Sequence, residues 1–235
     1  MITDFHSHIL SNIDDGSSSL EMSIEMLRME AEQGIRYVVA TPHFYAQHDS
    51  PRKFLERREA SKQQLLREIS KYDGLPQLVI GAEVYYFSGM SESESLMDLT
   101  IGNTKYILVE MPMSPWTDSM YEELYKIYTQ RGLTPIVAHI DRYISPFKTH
   151  HIPERLEELP VLVQANASFF QRGFTSKMAM RMLKEEKIHL LGSDCHNISD
   201  RTPNLGTALS QIERQLGVDV IKKINLYEKK ILHFK

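Results

Sequence analysis

A single cysteine, Cys195, occurs in 235 residues, so no internal disulfide can form and cysteine usage does not fix the redox compartment. No apolar run approaches the roughly 18 residues of a membrane span, and the opening MITDFHSHIL lacks the basic segment and long apolar stretch of a secretory signal. The expectation is a cytoplasmic protein without membrane insertion. Basic stripes are also missing: the 27 Lys and Arg are interspersed with 31 Asp and Glu, for a net charge of −4, which disfavours nucleic acid as a partner. There is no internal repeat, low-complexity tract or linker, so residues 1–235 are expected to form one domain. At 42% hydrophobic, a chain of this length has enough apolar surface for a substantial core.

That apolar material falls into short runs. Those containing DFHSHIL, IRYVVATPH, QLVIGAE, KYILVEM, TPIVAHI, VLVQANA and IHLLGSD read as buried strands. Between them lie helical patterns. Leu20, Ile24, Leu27 and Ala31 recur at helical spacing, Ser18 and Glu21 fit a capping box, and Gly34 fits a left-handed cap. Further helices are predicted near 51–72, 91–99, 118–131, 153–159 and 176–186, with two more closing the chain. Continuous apolar strands alternating with helices indicate a parallel α/β sheet covered by helices.

Polar residues interrupt these strands at their C-terminal ends: His6 and His8, His43, Glu83, Glu110, His139, Asp194 and His196. A barrel brings such ends to one mouth, whereas an open sheet spreads them along a line, so a distorted (β/α) barrel is expected with its site at that mouth. Alternation along a strand puts His6 and His8 on one face, and likewise Asp194 and His196. A lone buried histidine is usually a satisfied core residue. Several carboxylates buried together without a cation would instead take up protons. Imidazoles mixed with carboxylates suit manganese, iron or zinc, and there is room for two or three ions, with Glu83 able to bridge a pair. The natural reaction is hydrolysis by water that the ions acidify.

DFHSHIL, DDG, TPH, GAE, KYILVEMP, AHIDRY and GSDCHN, in that order across nearly the whole chain, resemble the polymerase and histidinol phosphatase (PHP) superfamily. Within it they resemble the bacterial protein tyrosine phosphatases of capsular and exopolysaccharide loci, the CpsB/YwqE type. The resemblance implies a distorted seven-stranded (β/α)7 barrel and three ions, usually manganese. It implies ligand sets His6, His8, Glu83 and Asp194; Glu83, Glu110 and His139; and Asp15, His43 and His196, with Asp15 rather than Asp14 taken from DDG. Arg142 and Arg201 match the family's phosphate-binding arginines, and their planar forks suit two phosphate oxygens. Asp194 or His196 would help protonate the leaving phenolate. The implied substrate is a phosphotyrosine protein, the tail of a tyrosine kinase regulating polysaccharide export; a homo-oligomer stays open. One departure is visible: Ile140 and Asp141 stand where the pattern commonly has Pro and Glu, just before Arg142.

Three other readings compete. Cys195 and Arg201 satisfy the bare C-x5-R spacing of thiol phosphatases, although alternation turns Cys195 away from Asp194 and His196, and Asp200 sits where an anion would bind. A small-molecule phosphoesterase such as a histidinol phosphatase would share the metal chemistry. A non-catalytic kinase-binding scaffold would also keep the ligands. His48, His150, His151, His189 and His233 read as solvated or packed.

Overall fold

The computed structural model describes residues 2–144, 151–171 and 173–233. All seven apolar runs contain strand, and every strand pairing is parallel. The run from Ile35 is broken into β2 (Tyr37–Ala40) and β3 (His43–Phe44); the next is broken into β4 (Gln77–Ile80) and β5 (Glu83–Tyr85). β1 is Thr3–Ser7, and β6 (Tyr106–Glu110), β7 (Thr134–Val137), β8 (Leu162–Asn166) and β9 (Leu190–Gly192) follow. The strands order as β1-β2-β4 and β3-β5-β6-β7-β8-β9. Both breaks fall before a site residue, at Thr41-Pro42 and Gly81-Ala82, where proline and glycine interrupt the ladder. The sheet curls until its last strand meets its first: the Asp194 and His8 amides donate to His6 O at 2.8 Å and Cys195 O at 2.9 Å.

Helices α1 (Leu20–Glu32), α2 (Pro51–Ile69), α3 (Asp118–Arg131), α4 (Asp141–Ile144), α5 (Ile152–Glu157), α6 (Ala167–Gln171), α7 (Gly173–Lys184), α8 (Leu205–Leu216) and α9 (Val218–Leu232) connect and follow the strands. The predicted capping box is corrected. Ser19, not Ser18, caps α1 by accepting from Met22 N, which removes the reciprocal role of Glu21; Gly34 does take the left-handed φ of 78°. The stretch 91–99 forms two 3-10 turns, and the short helices α4 and α6, too brief for a periodic signal, go beyond the predicted set. One apolar cluster, with Phe5, Val39, Leu108, Ile136 and Leu190, fills the concave side of the sheet; a larger one packs the helices on its outer side. Burying such side chains contributes about 1.5–3 kcal/mol each. Among the described residues no helix is long and apolar enough to cross a membrane.

Candidate metal centre

Strand geometry delivers the polar residues to one place. In β1, Asp4 pairs with Val38 but Ser7 with Ala40, so β1 carries one extra residue. Such a bulge resets which side chains face which side. Asp4 meets α1 through Glu30, whereas His6 and His8 meet the ends of the other strands. Two glycines make room for them. A Cβ on Gly192 would lie 2.5 Å from His6 Cβ, and one on Gly16 would lie 2.3 Å from the His8 carbonyl oxygen. The Gly16 contact lets the DDG loop fold back over His8 and bring in Asp14 and Asp15. His139 and Asp194 take left-handed φ values of 31° and 54°, a strain of about 1–3 kcal/mol each that the surrounding contacts must hold.

The structure brings together all the residues singled out by sequence. Glu83 lies at the centre: its Oε2 is 3.1 Å from His6 Nε2, 3.3 Å from His8 Nε2 and 3.0 Å from His43 Nδ1, and its Oε1 is 2.8 Å from His139 Nε2. Glu110 lies 3.5 Å from both His43 Nδ1 and His139 Nε2. Asp194 Oδ1 is 3.7 Å from His6 Nε2 and 3.5 Å from His8 Nε2. Asp15, at the exposed rim, reaches His196 Nε2 at 3.4 Å and His43 Nε2 at 3.7 Å. His43 therefore faces both Glu83–Glu110 and Asp15. Both arginines stand over this group: Arg142 pairs with Asp194 and Glu110, and Arg201 Nη2 donates to Asp194 Oδ1 at 2.9 Å.

Three of the imidazoles are held by a hydrogen bond at Nδ1. His8 Nδ1 donates to Asp14 Oδ2 at 2.7 Å, His6 Nδ1 to Gln164 Oε1 at 3.3 Å, and His196 Nδ1 to the Asp194 carbonyl at 3.0 Å. Each Nε2 then turns toward the carboxylates, the arrangement by which proteins orient histidine ligands. His43 Nδ1, Glu83 Oε2, Glu110 Oε2, His139 Nδ1 and His196 Nε2 are buried without a directed hydrogen bond among the described residues. Burial of such atoms is expensive unless something else pairs with them. Three sets of donor atoms lie within 4.8 Å of one another: His8, Asp15, His43 and His196; His6, His8 and Asp194; and His43, Glu83 and Glu110. The donors fit divalent cations.

Charge states follow from the packing. Burial alone would raise Glu83 and Asp194, but the charge of His6 beside them, with further imidazoles and Arg142, holds both well below the usual carboxylate range. Burial opposes protonation of His139, yet Glu110 and Glu83 push it up to about 9. His8 likewise rises well above its ordinary value against burial, through Asp14, Asp194 and Glu83. His196 drops to about 4 through burial and the neighbouring His8.

Sequence reasoning set Asp14 aside in favour of Asp15 and passed over Gln164 and Asn166. Asp14 orients His8 and also accepts from the His43 amide at 2.8 Å. Gln164 Oε1 accepts from the His139 amide at 2.7 Å, and Asn166 Nδ2 donates to Asp194 Oδ2 at 2.9 Å. The available signal was the pair of amides at i and i+2 in VLVQANA, one face of an otherwise apolar strand. Asp141 caps the loop before Arg142 by accepting from the Asn166 amide at 3.0 Å. The thiol alternative fails on burial: Cys195 is fully buried, and that burial, with Glu30 and Asp4 nearby, pushes its thiol well up, away from the thiolate a nucleophile needs. His189 packs edge-on against Tyr227, His48 lines a cavity beside the site, and His150 lies outside the described residues.

Known proteins share this sequence pattern and fold. The family described as "Capsular polysaccharide synthesis, CpsB/CapC" matches residues 2–233. The tyrosine-protein phosphatase CpsB of Streptococcus agalactiae serotype III is 31% identical over 230 residues, covering 91% of this chain and 90% of its own. The tyrosine-protein phosphatase YwqE of Bacillus subtilis is 27% identical over 224 residues, covering 92% and 86%. A chain from the crystal structures of YwqE from Bacillus subtilis and CpsB from Streptococcus pneumoniae, described as unique metal-dependent tyrosine phosphatases, shares the fold with a TM-score of 0.85 at 24% identity, over 97% of this chain and 93% of that one. The chain belongs to the CpsB/CapC family of capsular polysaccharide synthesis.

Proposed function

We propose that this protein is a metal-dependent tyrosine-protein phosphatase that hydrolyses phosphotyrosine on a protein, the tail of a tyrosine kinase regulating capsule or exopolysaccharide synthesis being the favoured substrate. The reading takes residues 1–235 as one cytoplasmic domain. It treats the curled sheet as a distorted seven-stranded barrel in which β2 with β3, and β4 with β5, each count once. His6, His8, Asp15, His43, Glu83, Glu110, His139, Asp194 and His196 would hold two or three manganese ions. Bound there, the cations would neutralise the acids, draw in phosphate and acidify a water. The observation that carries the reading is the set of oriented imidazoles and unpartnered buried carboxylate oxygens beneath two half-exposed guanidinium groups.

The chain's own groups divide the remaining work. Arg142 and Arg201 each offer a planar fork to phosphate oxygens and to the charge that spreads over them as the phosphoryl group transfers. Asp194 keeps both guanidiniums aimed at the mouth. Asp14 and Gln164 fix the Nδ1 protons of His8 and His6, so each Nε2 lone pair stays available. Of the two candidates for protonating the phenolate, Asp194 is held ionised and His196 is pushed down to about 4, so neither carries a ready proton for the leaving group near neutral pH. Elemental analysis beside phosphotyrosine hydrolysis, with and without chelator, tests the proposal. Two or more ions per chain and chelator-sensitive turnover are expected; an active protein with fewer than two ions contradicts the multi-ion scheme.

A further inference from the structure

A cavity of about 530 Å³ opens directly beside the mouth. Ile13, Asp15, His43, Tyr45, Asp49 and Arg57 line it, so it shares Asp15 and His43 with the candidate metal centre. The Tyr45 ring lies 5.1 Å from that of His43 and 5.4 Å from that of Tyr85. Asp49 and Arg57 form an ion pair with each other, while the lining's other acids, Asp14 and Asp15, face His8 and the pair His43 and His196. We propose that this cavity receives the aromatic ring of an aryl phosphate, with Tyr45 as the wall against which that ring packs. The assignment rests on the phosphatase reading above and deepens it.

The centre itself recognises a phosphate dianion, and every phosphomonoester presents the same dianion. A preference for an aryl group must come from a surface one ring's length from phosphorus, and this cavity adjoins the centre through Asp15 and His43. Tyr45 is suited to the task because Tyr85 and His43 already hold its ring, so little side-chain freedom is lost when a second ring packs on it. Aromatic pairs gain stability beyond their buried area.

Calorimetry on the manganese-loaded protein, comparing phenylphosphonate with methylphosphonate, tests the assignment. Wild type should bind the phenyl compound roughly tenfold more tightly. Tyr45→Ala should lose that preference while binding methylphosphonate within about twofold of wild type, and Tyr45→Phe should retain it. The assignment is overturned by a Tyr45→Ala protein that still prefers the phenyl compound, or by one that loses both ligands in parallel, since Tyr45 would then act only through His43. A wild type that hydrolyses phosphotyrosine peptides without any phenyl preference sinks the cavity assignment alone. A wild type with the preference but no hydrolysis sinks the phosphatase reading alone.

Discussion

Asp4 and His6 stand two residues apart on β1, both buried, yet they serve clusters of opposite character. On the mouth side of the bulge, Glu83 and Asp194 are held ionised by imidazoles and Arg142. On the α1 side, Asp4 and Glu30 face each other beside Cys195, with donor atoms within 4.8 Å, and burial pushes both acids up. Asp4 Oδ1 accepts from the His6 and Ser193 amides at 3.0 and 2.9 Å, but Asp4 Oδ2 and both Glu30 oxygens find no donor among the described residues. Equal burial thus gives opposite outcomes. Where nitrogen ligands surround the acids, charge is retained and cations fit; where acid meets acid, a proton supplies the missing positive charge.

The sharpest way to break this contrast is to strip the mouth of its central acid. Glu83→Ala should lower metal content and reduce phosphotyrosine turnover on the order of 1000-fold, since the cations' charge contributes several kcal/mol to such transition states. Full metal occupancy and turnover in that variant would show that Glu83 is not central. Asp14→Asn should be milder, weakening manganese affinity about 10–100-fold because it loosens a histidine without removing a donor. Titration of metal into the variant measures it, and unchanged affinity would show that Asp14 does not act through His8.

Removing the metal should expose the mouth's titration. In metal-free protein, His139 has a folded pKa of about 9, above its ordinary 6.5, so its stabilising effect is complete below about pH 6.5 and lost as pH rises through 9. His8, also raised, acts in the same direction. The depressed Glu83 and Asp194 work on the other flank, stabilising above about pH 4 and failing as pH falls. Metal-free protein should therefore lose on the order of 3 kcal/mol between pH 6.5 and 9.5, and metal-loaded protein, whose ligands have already released their protons, should not. Melting curves across that range decide it; parallel profiles would break the link between His139 protonation and the centre.

Much of the mouth was legible because its chemistry is rare: histidines and acids at the ends of apolar strands have few explanations other than a shared site. The order of strands and helices was legible for a similar reason, in the alternation of apolar runs with helical spacing. Asp4 was not. Only the bulge sends it to α1, and a bulge leaves no mark in DFHSHIL, where simple alternation would put Asp4 on the face of His6 and His8. Glu30 was hidden by its helix, since a glutamate in MEAEQG reads as solvated until α1 docks. Gln164 and Asn166 looked like strand polarity, because their partners His6, His139 and Asp194 come from distant segments.

The smallest expected effect tests the α1 side of the comparison. If a proton already neutralises the Asp4–Glu30 pair, Glu30→Gln removes almost nothing: the amide is nearly isosteric with a protonated carboxyl and can donate to Asp4 Oδ2 as that carboxyl would. Stability near pH 6 should stay within about 1 kcal/mol of wild type, and turnover should be unchanged. The sign with pH is also fixed. An acid whose folded pKa is raised contributes its full stability below its ordinary value of 4.5 and loses it as pH climbs toward the folded value, so the variant should gain on wild type as the solution becomes more alkaline. A Glu30→Gln protein that loses several kcal/mol at neutral pH, or a bound ion along with them, would mean that Glu30 is charged after all, and that both sides of the bulge obey the same rule.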